Sequence, residues 1–154
     1  MLEIAGQGEI GKIFEYVKKL GIERNFVYLG FIPHSKIAEA IASADVAVHI
    51  LRDTIYFRSS SPMVVPEYMA MGKPVIASDV GELSVMLKDD AGILVKDQTP
   101  RAFSEAIVRL LNDSKTRRKV GMAALERASR MYSYRVLARR VEEAYQKALE
   151  SRKR

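Results

Sequence analysis

The sequence predicts an α/β fold in which a parallel sheet is flanked by helices. Three observations predict it. Short apolar runs alternate with amphipathic stretches along the chain, the rhythm of repeated βαβ units. The run Val46-Ala47-Val48-His49-Ile50 is continuous rather than alternating, as in a strand covered on both faces. Glycines stand where helical patterns stop, at Gly21 and Gly72.

Each element follows from its residues. Leu2-Glu3-Ile4-Ala5 reads as the first strand. Ile10, Ile13, Phe14, Val17 and Leu20 then recur at helical spacing up to Gly21. Residues 26–29 form the second strand, and Ile37, Ala40, Ile41 and Ala44 line a short helix. After the strand at 46–50, residues 51–61 are polar and irregular. Proline at 66 lacks an N–H and suits only a first helical turn, so the next helix begins near 64 or 65. That helix ends at Gly72 and turns directly into a strand at 74–77. A helical turn at 82–87 leads to a strand at 92–95. Three helices close the chain. Thr99 or Pro100 starts the first, Val120 to Met131 line the second, and Leu137, Val141, Tyr145 and Leu149 belong to the third.

Composition limits the function classes. The 154 residues suit one domain with a real core, and 48% apolar with 29% charged residues marks a globular chain. No run reaches the roughly 18 apolar residues of a membrane span, and Met1-Leu2-Glu3-Ile4 has no basic stretch ahead of an apolar one. Without cysteine there are no disulfides and no thiolate metal sites. A cytoplasmic protein is the expectation. The net charge of +6 is uneven, because residues 115–154 hold 13 Lys/Arg against 4 Asp/Glu. That basic region forms solvated helix faces or makes weak contact with an anionic membrane, peripherally. No aromatic residues interleave with its charges as a nucleic-acid binder would need, so nucleic acid is not expected as a partner.

Two motifs compete for the chemistry. Gly6-Gln7-Gly8-Glu9-Ile10-Gly11 follows a strand and opens a helix, as a dinucleotide-binding turn does. That reading needs an acid at the end of the next strand, where Tyr28, Leu29 and Gly30 stand instead. The second motif runs from Ser61-Pro62-Met63-Val64-Val65-Pro66-Glu67 through Met71-Gly72-Lys73-Pro74-Val75 to Asp79. Its helix start, facing the loop at 51–61, is an expected anion site. Glu67 is the acid placed to accept hydrogen bonds from sugar or ribose hydroxyls, or else a first-turn acid that suits the helix dipole. His34, at a helix start, and His49, within a strand, have ordinary roles and no metal partner, so no metal is expected.

Taken together, these pieces resemble the C-terminal, donor-binding domain of retaining GT-B glycosyltransferases of the group 1 type. The resemblance rests on residues 2–8, on Val27 to Pro33, on Ala44 to Val48, on Glu67 to Asp79, on Gly92 to Val95 and on the closing helices, in that order. It implies a Rossmann-like sheet and a nucleoside diphosphate sugar as donor substrate, with no further cofactor. It implies that Glu67 binds the ribose hydroxyls and that Gly6, Gly8, Gly30, Phe31 and Ile32 lie along the donor, the last three beside its base. As a plain alternative, Phe31 is a core residue. Backbone N–H groups around Ser59, Ser60, Ser61 and Met63 would hold the diphosphate, with Arg52 and Arg58 nearby. The family carries a second glutamate eight residues before Glu67, and this chain has Ser59 there. A sub-branch with Ser-Pro-x-Lys is similar at Ser61-Pro62, but Val64 takes the place of its lysine.

The same resemblance places a strand and helix, with a diphosphate-neutralising Arg and Lys, ahead of the counterpart of Met1, and an acceptor-binding N-terminal domain before that. The chain is therefore expected to be a single, N-terminally incomplete domain, inactive in isolation, whose catalytic residues are not assigned. Strands 2–5 and 46–50 must meet directly or borrow a strand, and an open edge or the apolar stripe of the last helix invites a homodimer. Two other readings stay open: a non-hydrolysing nucleotide-sugar epimerase of the same architecture, and a non-catalytic binding or assembly module.

Overall fold

The structure is a computed structural model that describes residues 1–152. The chain divides into two compact units, Met1–Ala40 and Ile41–Arg154.

The first unit holds strand β1 (Leu2–Ala5), helix α1 (Ile10–Leu20), a 3₁₀ turn (Glu23–Asn25), strand β2 (Phe26–Gly30) and the first part of helix α2 (His34–Ser43). β1 and β2 pair in parallel, with Leu2 opposite Phe26 and Ile4 opposite Tyr28. The register then shifts, so that Ala5 meets Gly30. α1 packs by its apolar stripe: Val17 is buried, and Phe14 meets Phe26 and Tyr28 edge-on at 5.6 and 6.1 Å. Gly21 ends the helix in the left-handed conformation that its lack of a Cβ permits, and its N–H closes on the Lys18 and Val17 carbonyls.

The second unit begins within α2 and continues with β3 (Ala47–His49), α3 (Ile55–Arg58), α4 (Val64–Ala70), β4 (Val75–Ser78), α5 (Glu82–Met86) and β5 (Ile93–Val95). Helices α6 (Pro100–Asn112), α7 (Ser114–Met131) and α8 (Tyr134–Ser151) follow. The three strands pair in parallel in the order β3-β4-β5. All four residues of β4 are fully buried. On one side, Val65 and Met69 of α4, Leu83 and Met86 of α5 and Ala124 and Ala128 of α7 cluster with Ala47, Val75 and Ala77. On the other, Phe103 and Leu110 of α6 cluster with Ile76 and Val95. The Thr99 hydroxyl caps α6 by accepting from the Ala102 N–H, as its sequence predicts. Asp113 caps α7 in the same way through Thr116.

One expectation needs correction. Residues 51–61 are not wholly irregular, since they contain α3, a single turn capped by Thr54. Four residues are too few for hydrophobic periodicity to register. β1 and β2 form the sheet of the first unit, and β3, β4 and β5 the sheet of the second. β1 has four residues and β3 three, and a parallel ladder is the weaker kind per residue. Each is left as an edge strand with one partner.

α7 lies so close to the turn after α4 that only glycine fits at the crossing. A Cβ built on Gly121 would stand 2.3 Å from the Gly72 carbonyl oxygen. Gly121→Ala is therefore expected to lower the unfolding free energy by about 1–3 kcal/mol, the usual cost of overpacking. Gly11→Ala in α1 meets nothing within 4 Å and should stabilise its helix by up to about 0.5–1 kcal/mol. Urea unfolding of both variants checks the pair, and an unchanged midpoint for Gly121→Ala would contradict the packing described.

Candidate functional site

Parallel sheets present their ligand sites at the carboxyl ends of the strands. In the second unit three connections gather there, after β3, β4 and β5. The longest, residues 50–63, leaves β3 and climbs through α3 into α4. It is cross-braced along its length. The Leu51 N–H donates to the buried Ser78 hydroxyl at 2.9 Å. The Asp53 N–H donates to the Gln98 side-chain oxygen at 3.2 Å. Arg58 donates twice to the Asp53 carboxylate, at 2.5 and 2.8 Å, and this pairing holds the Asp53 carboxyl below its usual range.

The brace decides which polar groups of the loop are open to a ligand. The Ser59 hydroxyl donates to the Ile55 and Tyr56 carbonyls, and its N–H also bonds Ile55. The Ser60 hydroxyl and N–H both bond the Phe57 carbonyl. Val65 donates its N–H to Pro62. So the expected row of open N–H groups from 59 onward is corrected at Ser59 and Ser60, whose donors close the end of α3. The N–H groups of Ser61 and Met63 have no partner among the described residues.

Glu67 lies in α4, three residues after its first, and Pro66 sits within the first turn as predicted. The Glu67 side chain is half-buried, yet its carboxylate makes no hydrogen bond or ion pair among the described residues. Its neighbour Tyr68 has its phenol pushed upward in pKa, first by burial and then by the Glu67 charge. The carboxylate oxygens are not buried, so water holds them where no protein donor does. Hydroxyl groups from a ligand would replace that water.

The remaining expected residues lie in the first unit. Gly6 and Gly8 form the turn between β1 and α1. Gly6 has a φ of 129°, its N–H donates to Gly30 at 2.8 Å, and its carbonyl accepts from the Tyr28 hydroxyl at 2.6 Å. These bonds tie the β1 and β2 turns together above a shallow depression of about 80 Å³ lined by Ala5, Gly6, Gly8 and Tyr28. Gly30 has a φ of 67°, and Phe31 after it is 69% exposed. Phe31 is thus not a core residue, which removes the plainer of its two readings. Ile32 is half-buried. Among the described residues no three His, Cys, Asp or Glu side chains gather as a metal site would require.

Of the loop cations, Arg58 is committed to Asp53, whereas the Arg52 side chain makes no hydrogen bond among the described residues. The brace itself was not foreseen. Ser78 and Gln98 are ordinary strand-end and loop residues in the sequence, and nothing in their spacing signals a bond to residues 51 and 53.

The model of the family described as "Glycosyl transferases group 1" matches residues 1–127. The D-inositol 3-phosphate glycosyltransferase of Corynebacterium glutamicum is 31% identical over 133 residues, which are 86% of this chain and 30% of that protein. The chain thus spans about a third of the length of the curated relatives it matches. Sucrose-phosphate synthase from Thermosynechococcus elongatus superposes with a TM-score of 0.83 at 26% identity, over 97% of this chain and 39% of that one. Anabaena HepE in complex with UDP-glucose superposes at 0.79 and 19% identity, over 94% of this chain and 40% of that one, a likeness of fold.

His49 ends β3 on the same face as Ala47, by strand alternation, and its Nε2 is buried with no hydrogen-bond partner among the described residues. Burial pushes its pKa below the ordinary 6.5. The unfolded chain therefore takes up this proton more readily than the folded one. The stability tied to neutral His49 is present above 6.5 and is lost as pH falls through the folded value. His49→Gln is expected to flatten the fall in stability between about pH 7.5 and pH 5. Urea midpoints of wild type and variant at both pH values check it, and parallel curves would contradict it.

Proposed function

This chain belongs to the group 1 glycosyl transferase family, and we propose that it is the donor-binding part of an enzyme that moves a sugar from a nucleoside diphosphate to an acceptor. The observation that carries the reading is Glu67, a half-buried residue whose carboxylate has no partner among the described residues. Vicinal ribose hydroxyls are the donors it lacks. The open N–H groups of Ser61 and Met63 and the guanidinium of Arg52 suit the diphosphate. Charge builds on that diphosphate as it leaves the sugar, and fixed N–H dipoles need no reorganisation to receive it. Within the first unit, the Gly6-Gly8 turn and the Gly30-Phe31-Ile32 loop with its exposed Phe31 are the groups that the family resemblance assigns to the donor. UDP-glucose in the related HepE complex supports a nucleoside diphosphate sugar as the ligand class. The acceptor would be held by a separate half of the transferase.

A binding module without turnover is the second reading, and Ser59 favours it. Where the family resemblance places a glutamate, the Ser59 hydroxyl and N–H are both spent on α3 carbonyls. Partner chains have two surfaces in either case. One is an open strand edge, of β1 in the first unit or of β3 in the second, and the other is the α8 stripe, where Val141, Tyr145 and Leu149 are exposed while Leu137 is half-buried. Homodimer formation belongs to this reading, and light scattering after size exclusion tests it, with a monomer at every concentration counting against it.

Calorimetric titration of UDP, GDP and ADP, with and without a sugar, tests the donor site. Binding in the millimolar range or tighter is expected, weakening about tenfold, or roughly 1.4 kcal/mol, in Glu67→Gln. Absence of binding by folded wild-type protein would overturn the reading.

A further inference from the structure

The loop that carries Ser61 and Met63 does not hold itself. Its start and its middle are both gripped by the turn that follows β4. Ser78 is the last residue of β4 and is wholly buried, the one buried polar residue among the described residues. Its hydroxyl oxygen accepts the Leu51 N–H at 2.9 Å, just where the chain leaves β3. Three residues on, Gly81 has a φ of 54°, and a Cβ there would stand 2.6 Å from the Arg58 carbonyl oxygen and 2.9 Å from the Arg58 Cα. The end of α3 therefore rests directly on Gly81. The turn between them is rigid in its own right. The Asp79 N–H donates to Val95 at 3.1 Å, and the Asp79 carboxylate accepts from the Ser84 hydroxyl.

We infer that Ser78 and Gly81 are positioning residues for the donor, setting the backbone of residues 51–60 through Leu51 and Arg58 so that the open N–H groups beyond it meet the diphosphate ready-made. The inference rests on the donor reading above. Its physical sense is that a loop ordered beforehand loses little entropy when a ligand arrives. A buried hydroxyl at a strand end also costs desolvation unless it is bonded, so Ser78 suits this task and little else. Gly81 is needed for two reasons at once, its left-handed φ and the close carbonyl.

The test uses Ser78→Ala, Ser78→Thr and Gly81→Ala in the whole chain, with two readouts. Amide hydrogen exchange is followed at Leu51 and at 55–58 without ligand, and UDP affinity is then measured by calorimetry. Ser78→Ala should speed exchange at Leu51 by about fivefold, the worth of one ordinary hydrogen bond, while amides of α6 and α7 keep their rates. Gly81→Ala should speed exchange across 55–58. Both should weaken UDP binding several-fold, and Ser78→Thr, which retains the hydroxyl, should bind as wild type. A purely structural role would slow or speed all amides together and leave affinity tracking global stability. Unchanged Leu51 exchange in Ser78→Ala, or faster exchange with unchanged UDP affinity, overturns the inference while the donor reading stands. Failure of wild type to bind any nucleoside diphosphate overturns the donor reading first and this inference with it.

Discussion

Burial of β4 is the constraint on which the second unit depends. Val75, Ile76, Ala77 and Ser78 are each fully buried, with Val75 and Ala77 committed to one core and Ile76 to the other. Burying one Val or Ile side chain contributes about 1.5–3 kcal/mol. More than that energy, the strand supplies geometry. It fixes β3 on one edge and β5 on the other, and its two faces fix α4, α5 and α7 against α6. A polar substitution anywhere along it would leave a buried group with no partner, apart from Ser78, whose hydroxyl already has one.

The functional end of the unit follows from the same strand. A buried strand must emerge somewhere, and at its carboxyl end the chain meets the loops from both neighbours. Ser78 reaches back to the loop after β3, Gly81 supports α3, and Gln98 after β5 takes the Asp53 N–H. The result is a loop several of whose donors are spent on its own bracing. Among the groups left open are the N–H groups of Ser61 and Met63, which lie close in sequence to the unpartnered carboxylate of Glu67. Specificity for a diphosphate joined to a ribose needs that combination of N–H donors and one acceptor.

Much of the fold was legible in the sequence because local chemistry and global pattern agree. Gly21, Thr99 and Pro66 each perform the turn or capping task that their chemistry dictates. The long apolar runs give the strands, and the alternation gives their parallel pairing. Legibility fails where an outcome depends on three-dimensional neighbours. α3 is one turn long, so only its Thr54 cap marks it. Ser59 and Ser60 belong in the sequence to an expected row of open backbone N–H groups, yet their N–H groups and hydroxyls all bond α3 carbonyls. Phe31 could be core or surface on composition alone, and only packing makes it 69% exposed. In the site, the position of Glu67 was legible from the helix start, while its lack of a partner was not.

The central claim is that the Glu67 carboxylate and the N–H groups of Ser61 and Met63 receive one nucleoside diphosphate between them. A crystal structure of the protein soaked with UDP tests it most directly. The account predicts ribose hydroxyl oxygens within about 2.5–3.0 Å of the Glu67 carboxylate and phosphate oxygens within about 2.7–3.2 Å of the Ser61 or Met63 nitrogen. UDP bound elsewhere, with Glu67 still unpartnered, would contradict it.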